Sequence, residues 1–590
     1  MIITFTILTI AILLFLSDRL RPDLVALLVM LALGLSGVLS ADETFSGFSR
    51  SVVIAIIAIF VLADALRRTG ITEKLGEVLI KLGGKHERRL VFTVTLAGAI
   101  LSLFMNNIAA ASVLLPAVSG AARKAGVSPS RLLMPLAFGT ILGGMATLLT
   151  TTNILISGIL REHGLPGFGL LDFAPVGIII IIAGTLYMSL LGRRLLPAQA
   201  HPGKLSVSNK SDLRGVYHLN ERLIRGRVFS GSPLVGKKVS QSQLREKYKL
   251  NIVAIQRGRS INESFSPDMV LKAGDILHLI GRLDLISPSE LELVLKLFTL
   301  PDSNLPDIGL VEVVLTPRSE LVGKTLREAH FREKYHMNVL AIWRAGRAYR
   351  TGHADLPLQF GDALLLQGLP EHISVLQAES EMLVLAGQTV SVNHGRALLA
   401  TLIMLVTLCM TVFTPSLTGE VMLAGALAMV LVGVLNMDQA YRSVEWKSVF
   451  LVAGMLPLGT ALAKTGAAVL LGNALVSVLG KDGILVLFAG FLGLTILCTQ
   501  VMNGTAVAAI MAPIGIQIGQ LVGANPRALL MGVALATSVA FITPLGHPVN
   551  MLVMGPGGYK FRDYAKVGFL LTFIIFGVIL IFLPIFWPLK

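Results

Sequence analysis

Apolar and polar positions along this chain are sorted by region. Residues 1–200 and 391–590 hold nearly all the long apolar runs, whereas 201–390 reads as ordinary soluble sequence rich in Lys, Arg, Asp and Glu. Runs such as 173–191 and 567–587 reach the roughly 20 residues that a helix needs to cross a bilayer. The pattern predicts a polytopic α-helical membrane protein with a soluble insertion. Its apolar N-terminus lacks a basic start and a small-residue cleavage site, and reads as a first membrane helix rather than a cleaved signal.

Basic residues orient the first half. Clusters at Arg19 and Arg21, at 67–89, at Arg123, Lys124 and Arg131, and at Arg193 and Arg194 are placed on the cytoplasmic side. Segments 41–48 and 161–169 then face outward. Between 90 and 118 the chain must leave the cytoplasm and return, with about 14 residues per leg, roughly 21 Å at helical rise. That is too short to span twice. A re-entrant hairpin with its tip near Asn106 and Asn107 resolves the conflict, provided its backbone is buried in protein or lines a wet cavity.

The two apolar halves are copies. The shift that carries Asn106 to Asn503 also carries Asn153 to Asn550, Ala109 to Ala506, Pro116 to Pro513, Ala137 to Ala534 and Thr140 to Thr537. The loop matching the basic 67–89 stretch holds only Lys464 and Lys481, while 557–566 carries Lys560, Arg562 and Lys566. The charge bias is therefore reversed, which predicts two inverted repeats with re-entrant hairpins and broken helices around a midplane site. Repeat 1 is read as 1–200 and repeat 2 as 391–590, with 200–390 cytoplasmic and the C-terminus outside.

The middle region has its own repeat. Ser232-Pro-Leu-Val-Gly-Lys237 recurs as Ser319-Glu-Leu-Val-Gly-Lys324, and Leu244-Arg-Glu-Lys-Tyr248 as Phe331-Arg-Glu-Lys-Tyr335. Strands ending in Ala254-Ile-Gln-Arg257 and Ala341-Ile-Trp-Arg344 follow, then Gly274-Asp275 and Gly361-Asp362, each leading into an apolar run. Two small α+β domains are expected, at 216–298 and 305–385, with a ligand cleft between a pseudo-symmetric pair.

Charged residues make up 14% of 590, against about 25% in soluble proteins. The net charge of +15 is scattered over short loops, with no basic, aromatic-interleaved face, so no nucleic-acid partner is expected. Cys409 and Cys498 lie in apolar segments and are read as core packing. No metal cluster, phosphate loop or nucleophile–base pair is found, and the chain is not read as an enzyme.

The middle repeats resemble TrkA-C (RCK-C) domains, through S-x-L-x-G-K, R-E-x-Y, the strand ending A-I-x-R, and the G-D turn. The resemblance implies a regulatory ligand such as a cytoplasmic nucleotide. No G-x-G-x-x-G precedes these domains, so NAD is not implied. The membrane halves resemble the divalent anion/sodium symporter family of the ion transporter superfamily, whose citrate-transporter-like members move citrate, succinate or sulfate. The paired hairpin tips before Pro116 and Pro513, and the paired Asn153 and Asn550, carry that resemblance. The family's tips read Ser-Asn-Thr; here they read Asn106-Asn107-Ile108 and Asn503-Gly504-Thr505. The departure bears on the sodium sites and the substrate. The combination implies a homodimer in a bacterial-type inner membrane, transporting sulfate or a di- or tricarboxylate.

The candidate site lies where tips and breaks converge. Helices starting at the tips would aim their N-termini, with free N–H groups and a positive dipole end, at a bound anion. Asn106, Asn107, Asn503, Gly504 and Thr505 form the tips. The breaks add Thr150, Thr151, Thr152 and Asn153 in one half and Thr543, His547 and Asn550 in the other. A Na⁺ coupling ion is expected near Asn106, Asn107, Asn153, Asn503, Thr505 and Asn550; a proton is the other candidate, through His547. Asp64 is read as a local partner of Arg67 and Arg68. An RCK-regulated cation transporter is the competing reading. It is disfavoured because neither tip nor break holds an acid and there is no T-V-G-Y-G filter.

Overall fold

The computed structural model describes residues 1–17, 20–84, 86–197, 223–248, 250–258, 260–262, 268–280, 294–298, 310–315, 319, 321–335, 337–344, 347–349, 353–359, 362–367, 382–386, 394–414, 417–479 and 483–590. They divide into two compact units, 1–200 with 389–590, and 201–388.

In the first unit the chain forms α1 (Ile2–Ser17), α2 (Pro22–Leu35), α3 (Ala41–Phe45), α4 (Ser51–Arg68), α5 (Ile71–Lys81), α6 (Glu87–Ser102), α7 (Asn107–Ala125), α8 (Leu133–Gly144), α9 (Thr151–Glu162) and α10 (Ala174–Tyr187). The second half repeats the series in order: Ala397–Phe413, Thr418–Leu431, Met437–Ser443, Trp446–Lys464, Ala467–Leu479, Ile484–Thr499, Gly504–Val522, Pro526–Ala536, Pro548–Gly557 and Phe561–Phe586. Among the described residues, Ala41–Arg68, Ala174–Leu195, Trp446–Lys464, Gly504–Val522 and Phe561–Phe586 are long and apolar enough to cross a membrane.

The halves interlock by exchange. α2 packs on Trp446–Lys464, the counterpart of α4, while α4 packs on Thr418–Leu431, the counterpart of α2. The centre is fully buried: every residue of α8, Thr140 included, and of Pro526–Ala536 from Ala528 onward is buried. Lipid tails offer no hydrophobic drive for helices to associate, so close approach through small residues takes over. Gly139 and Gly143 of α8 supply it, since a Cβ on either would overlap the carbonyl of Thr95 or Ala99 on α6.

Apolar faces also point away from the protein, as a lipid-facing surface requires. Leu398, Phe413, Leu431, Leu497 and Ile585 are exposed. Cys409 lies on such a face and Cys498 is half-buried. The expected core role of Cys409 is thus corrected: in a membrane protein an apolar neighbourhood does not distinguish core from periphery. Asp64 does pair with Arg67 and Arg68, its Oδ2 lying 2.6 Å from Arg68 Nε.

The second unit holds two five-stranded antiparallel sheets. The first contains β1 (Leu223–Arg227), β2 (Asn251–Arg257), β3 (Ser260–Asn262), β4 (Ile276–Ile280) and β5 (Lys296–Phe298), ordered β3-β2-β4-β1-β5. β6 (Leu310–Leu315), β7 (Asn338–Arg344), β8 (Arg347–Tyr349), β9 (Ala363–Gln367) and β10 (Met382–Ala386) repeat that order as β8-β7-β9-β6-β10. The pairing register slips at Ile252/Ala254 in one sheet and at Val339/Ala341 in the other. In each sheet a buried aspartate closes a bidentate pair: Arg257 donates to Asp275 at 2.7 Å through Nε and Nη2, and Arg344 to Asp362 at 2.7 and 2.6 Å. The cleft foreseen between the two domains, and their termini at 216–222 and 299–309, fall partly or wholly outside the described residues.

Candidate functional site

Each hairpin tip is built by one asparagine. Asn106 Oδ1 accepts from Ile108 N at 2.8 Å, and Asn503 Oδ1 accepts from Thr505 N at 2.9 Å. Both cap the helix that follows, satisfying an amide that no earlier carbonyl can reach. The tips then diverge. Asn107 is buried and accepts from Ser102 Oγ, whereas its counterpart is Gly504. A side chain there would overlap the carbonyl of Thr537, so the second tip can only carry glycine at that point.

The helix breaks use equivalent caps. Thr150 Oγ1 accepts from Asn153 N at 3.4 Å, and His547 Nδ1 accepts from Val549 N at 3.2 Å. His547 therefore replaces Thr150 as the cap of the matching helix, with a longer polar arm. The unwound segments are held by the second asparagine pair. Asn153 Nδ2 donates to Thr147 O at 2.7 Å and Gly144 O at 3.3 Å; Asn550 Nδ2 donates to Ala540 O at 2.7 Å and Thr543 O at 3.3 Å. Both residues are fully buried, and the Oδ1 of each has no hydrogen-bond partner. Rotating either amide would turn its oxygen toward two carbonyls, so this arrangement is the one the surroundings fix.

Contacts between the halves bring these parts together. Asn107 Nδ2 lies 3.1 Å from His547 Nε2, joining the first tip to the second break. Thr152 Oγ1 lies 3.3 Å from Thr505 Oγ1, joining the first break to the second tip. Within the first half, Gly144 sits against both Asn107 and Thr150, close enough that a Cβ would strike them. The N-termini of α7, α9, Gly504–Val522 and Pro548–Gly557 thus meet in one region, and Thr151 lies half-buried on the first turn of α9.

Three residues outside the predicted site also shape this region. Gln500 donates from Nε2 to Val539 O at 2.6 Å and accepts from Ile542 N at 3.1 Å, and its carbonyl accepts from Thr543 Oγ1. It clamps the second break to the arm of its own hairpin. Ser102 does similar work beside Asn107. Tyr564 Oη donates to Asn550 O at 2.6 Å. A polar side chain inside an otherwise apolar run was the available signal for Ser102, and an amide beside Thr499 in such a run for Gln500. Nothing in the sequence pairs Tyr564 with Asn550.

Electrostatically the region is neutral in side-chain charge. It offers amide and hydroxyl groups, helix N-termini, unwound carbonyls and two buried unpaired oxygens. N–H and O–H donors with dipole ends suit an anion; carbonyl-type oxygens suit a hard monovalent cation. Among the described residues no group of His, Cys, Asp and Glu has the makings of a transition-metal site.

The chain is similar over its whole length to a transporter from Escherichia coli K12, Uncharacterized transporter YfbS. The two are 33% identical, over 99% of this chain and 98% of the relative. It is 22% identical to Sodium/sulfate cotransporter 2 of Chlamydomonas reinhardtii, over 94% of this chain and 86% of that one. Sodium/sulfate cotransporter 1 of the same alga matches at 24% identity over 60% of this chain and 42% of its own length. Among solved structures, the Alcanivorax borkumensis YdaH transporter aligns over 98% of this chain and 99% of its own, at 16% identity and a TM-score of 0.44, too low to carry the fold. The model of the CitMHS family, described as citrate transporter, matches residues 12–524, and the chain belongs to that family of membrane transporters.

Proposed function

We propose that this transporter is a symporter of a small divalent anion, sulfate or a di- or tricarboxylate, driven by a cation gradient. The single observation that carries the reading is the cross-connection of tip and break, Asn107 with His547 and Thr505 with Thr152. It gathers helix N-termini from both halves around one point without any side-chain charge. A dianion is stabilised there by oriented N–H groups, and its release costs no buried counter-ion. The sulfate named for two algal relatives and the citrate named for the family are both of this anion class.

Na⁺ fits the second feature. Asn153 Oδ1 and Asn550 Oδ1 are buried acceptors with no donor, beside stretches whose helical bonding is broken. Leaving such an oxygen unpaired costs roughly 1–3 kcal/mol, which a bound cation removes. Asn153 Oδ1 and Asn550 Oδ1 would hold Na⁺, which would supply positive charge to a region neutral in its side chains, while the amide nitrogens keep the unwound backbone in place. The exchange of α2 and α4 contacts between halves supports a two-fold relation, and the reversed charge bias supports inversion.

The sheet pair in 201–388, with its repeated topology, is read as a cytoplasmic TrkA-C module that sets the transport rate through a nucleotide, in a homodimer of the bacterial inner membrane. The test of the whole reading is uptake of radiolabelled sulfate, succinate and citrate into proteoliposomes under an inward Na⁺ or H⁺ gradient. Uptake of one anion that depends on Asn550 supports it. Potassium flux without anion flux replaces it by a cation transporter.

A further inference from the structure

A cavity of about 180 Å³ lies beside the first break, lined among others by Arg50, Ser51, Leu148, Arg161, Glu162 and Thr418, with no tip residue in its described lining. At about 30 Å³ per water it has room for roughly six waters, or for one small oxyanion. Two helices begin at its wall, α4 at Ser51 and the helix Thr418–Leu431, so two positive dipole ends abut it. Two guanidinium groups line it as well. Arg161 Nη2 donates to Thr418 Oγ1 at 3.3 Å. Arg50 Nε lies 3.2 Å from Glu162 Oε1, but neither atom completes a hydrogen bond, so the pair is held by charge alone.

Among the described residues, Glu162 is the one acid in the lining. Its side chain is 11% exposed. The elements packed against α9 bring few charges: Arg50 at the start of α4, with Asp64, Arg67 and Arg68 at its far end; Lys447 and Lys464 on Trp446–Lys464; Arg527, which meets Asp172 at 3.4 Å; and none on Gly504–Val522. Glu420 acts on Arg161, and His163 Nδ1 is within 2.9 Å of Ile159 O. Of these charges, Arg50 is the one that acts on Glu162.

We propose that this cavity is a second, proton-linked site for a small oxyanion, in which the anion binds Arg50 and Arg161 when Glu162 is protonated. With Glu162 ionised, its charge cancels that of Arg50 and repels an anion. Protonation removes that repulsion and releases Arg50 toward the cavity. Burial pushes the Glu162 carboxyl up to about 7, against the pull of Arg50, so the change falls near neutral pH. By linkage the bound anion raises proton affinity as much as the proton raises anion affinity. The proposal rests on the anion reading above only in its choice of sulfate as probe.

The test is equilibrium binding of radiolabelled sulfate to the full chain in phosphatidylcholine nanodiscs at pH 6 and pH 8. The wild type should bind two sulfates per chain at pH 6 and one at pH 8. Glu162→Gln should bind two at both, a gain that misfolding cannot imitate, and Arg50→Gln one at both. A wild-type count that does not change with pH, or a pH-dependent sulfate that survives Arg50→Gln, overturns the cavity site. So does displacement of that sulfate by added phosphatidylglycerol, which would make the occupant a lipid headgroup. Asn550→Ala separates the two readings: it should remove the pH-independent sulfate, and persistence of that sulfate sinks the tip site while leaving the cavity standing.

Discussion

Asn153 and Asn550 each spend their amide nitrogen on two carbonyls and leave the oxygen buried and unpaired. Replacing either with Ala removes the donor that holds the unwound backbone as well as the oxygen. Uptake should fall by at least the roughly 10–100-fold that losing an outer-shell partner costs a metal site. Expression and detergent monodispersity should hold. Near wild-type uptake by both variants would refute the cation role. Glu162 gives a prediction in pH. Its carboxyl rises from 4.5 to about 7 because burial disfavours the charge. A raised carboxyl contributes stability below about pH 4.5 and loses it as pH climbs through 7. Thermal stability of the wild type should therefore fall across that window more than that of Glu162→Gln, and parallel pH profiles would contradict the assignment. The tips and breaks were legible in the sequence because an Asn inside apolar sequence recurs at matched places in both halves, and at the tips it caps the helix that follows. Gly504 was legible only as a mismatch to Asn107; its reason, the Thr537 carbonyl against it, is a tertiary contact. The Arg50–Glu162 contact was invisible for the same reason, since the two residues lie on different elements.

At the scale of elements, close packing of α6 on α8 positions the first hairpin arm, and it depends on Gly139 and Gly143. Gly139→Leu would force the helices apart, at about 1–3 kcal/mol or more. A lowered unfolding temperature together with lost uptake is expected; unchanged values of both would show that the arm tolerates displacement. In the sheets, Arg344→Ala strands Asp362, whose side chain is 1% exposed, as an unpaired buried charge. The cost should be about 3–5 kcal/mol, read as faster hydrogen exchange in β7 and β9 of the full chain, whereas Arg327→Ala, at an exposed pair, should change little. The helix series was readable from the length of the apolar runs, the charged loops between them and the copy shift. The break ends were not, because Pro544 and Gly546 mark a break without saying which carbonyls Asn550 and Gln500 will hold. The apolar run also misled at Cys409, which is exposed on its helix instead of packed in the core.

For the whole molecule, the reversed Lys/Arg bias predicts residues 200–390 inside and the C-terminus outside. Leu205→Cys should resist an impermeant thiol reagent in intact cells while Pro588→Cys reacts; the opposite pattern would invert the topology. Replacing 205–388 with a flexible linker should leave insertion intact but change the rate and its response to cytosolic nucleotides. An unchanged rate and response would reduce the module to a structural role. Both expectations depend on the central claim, that two copies of a broken-helix unit enclose one anion site. The most direct measurement is accumulation of radiolabelled sulfate, succinate and citrate in proteoliposomes under an inward cation gradient, with Asn550→Ala alongside. Gradient-driven accumulation of at least one of these anions by the wild type, and none by the variant, is expected. Potassium flux with no anion flux, or equal accumulation by both proteins, would contradict it.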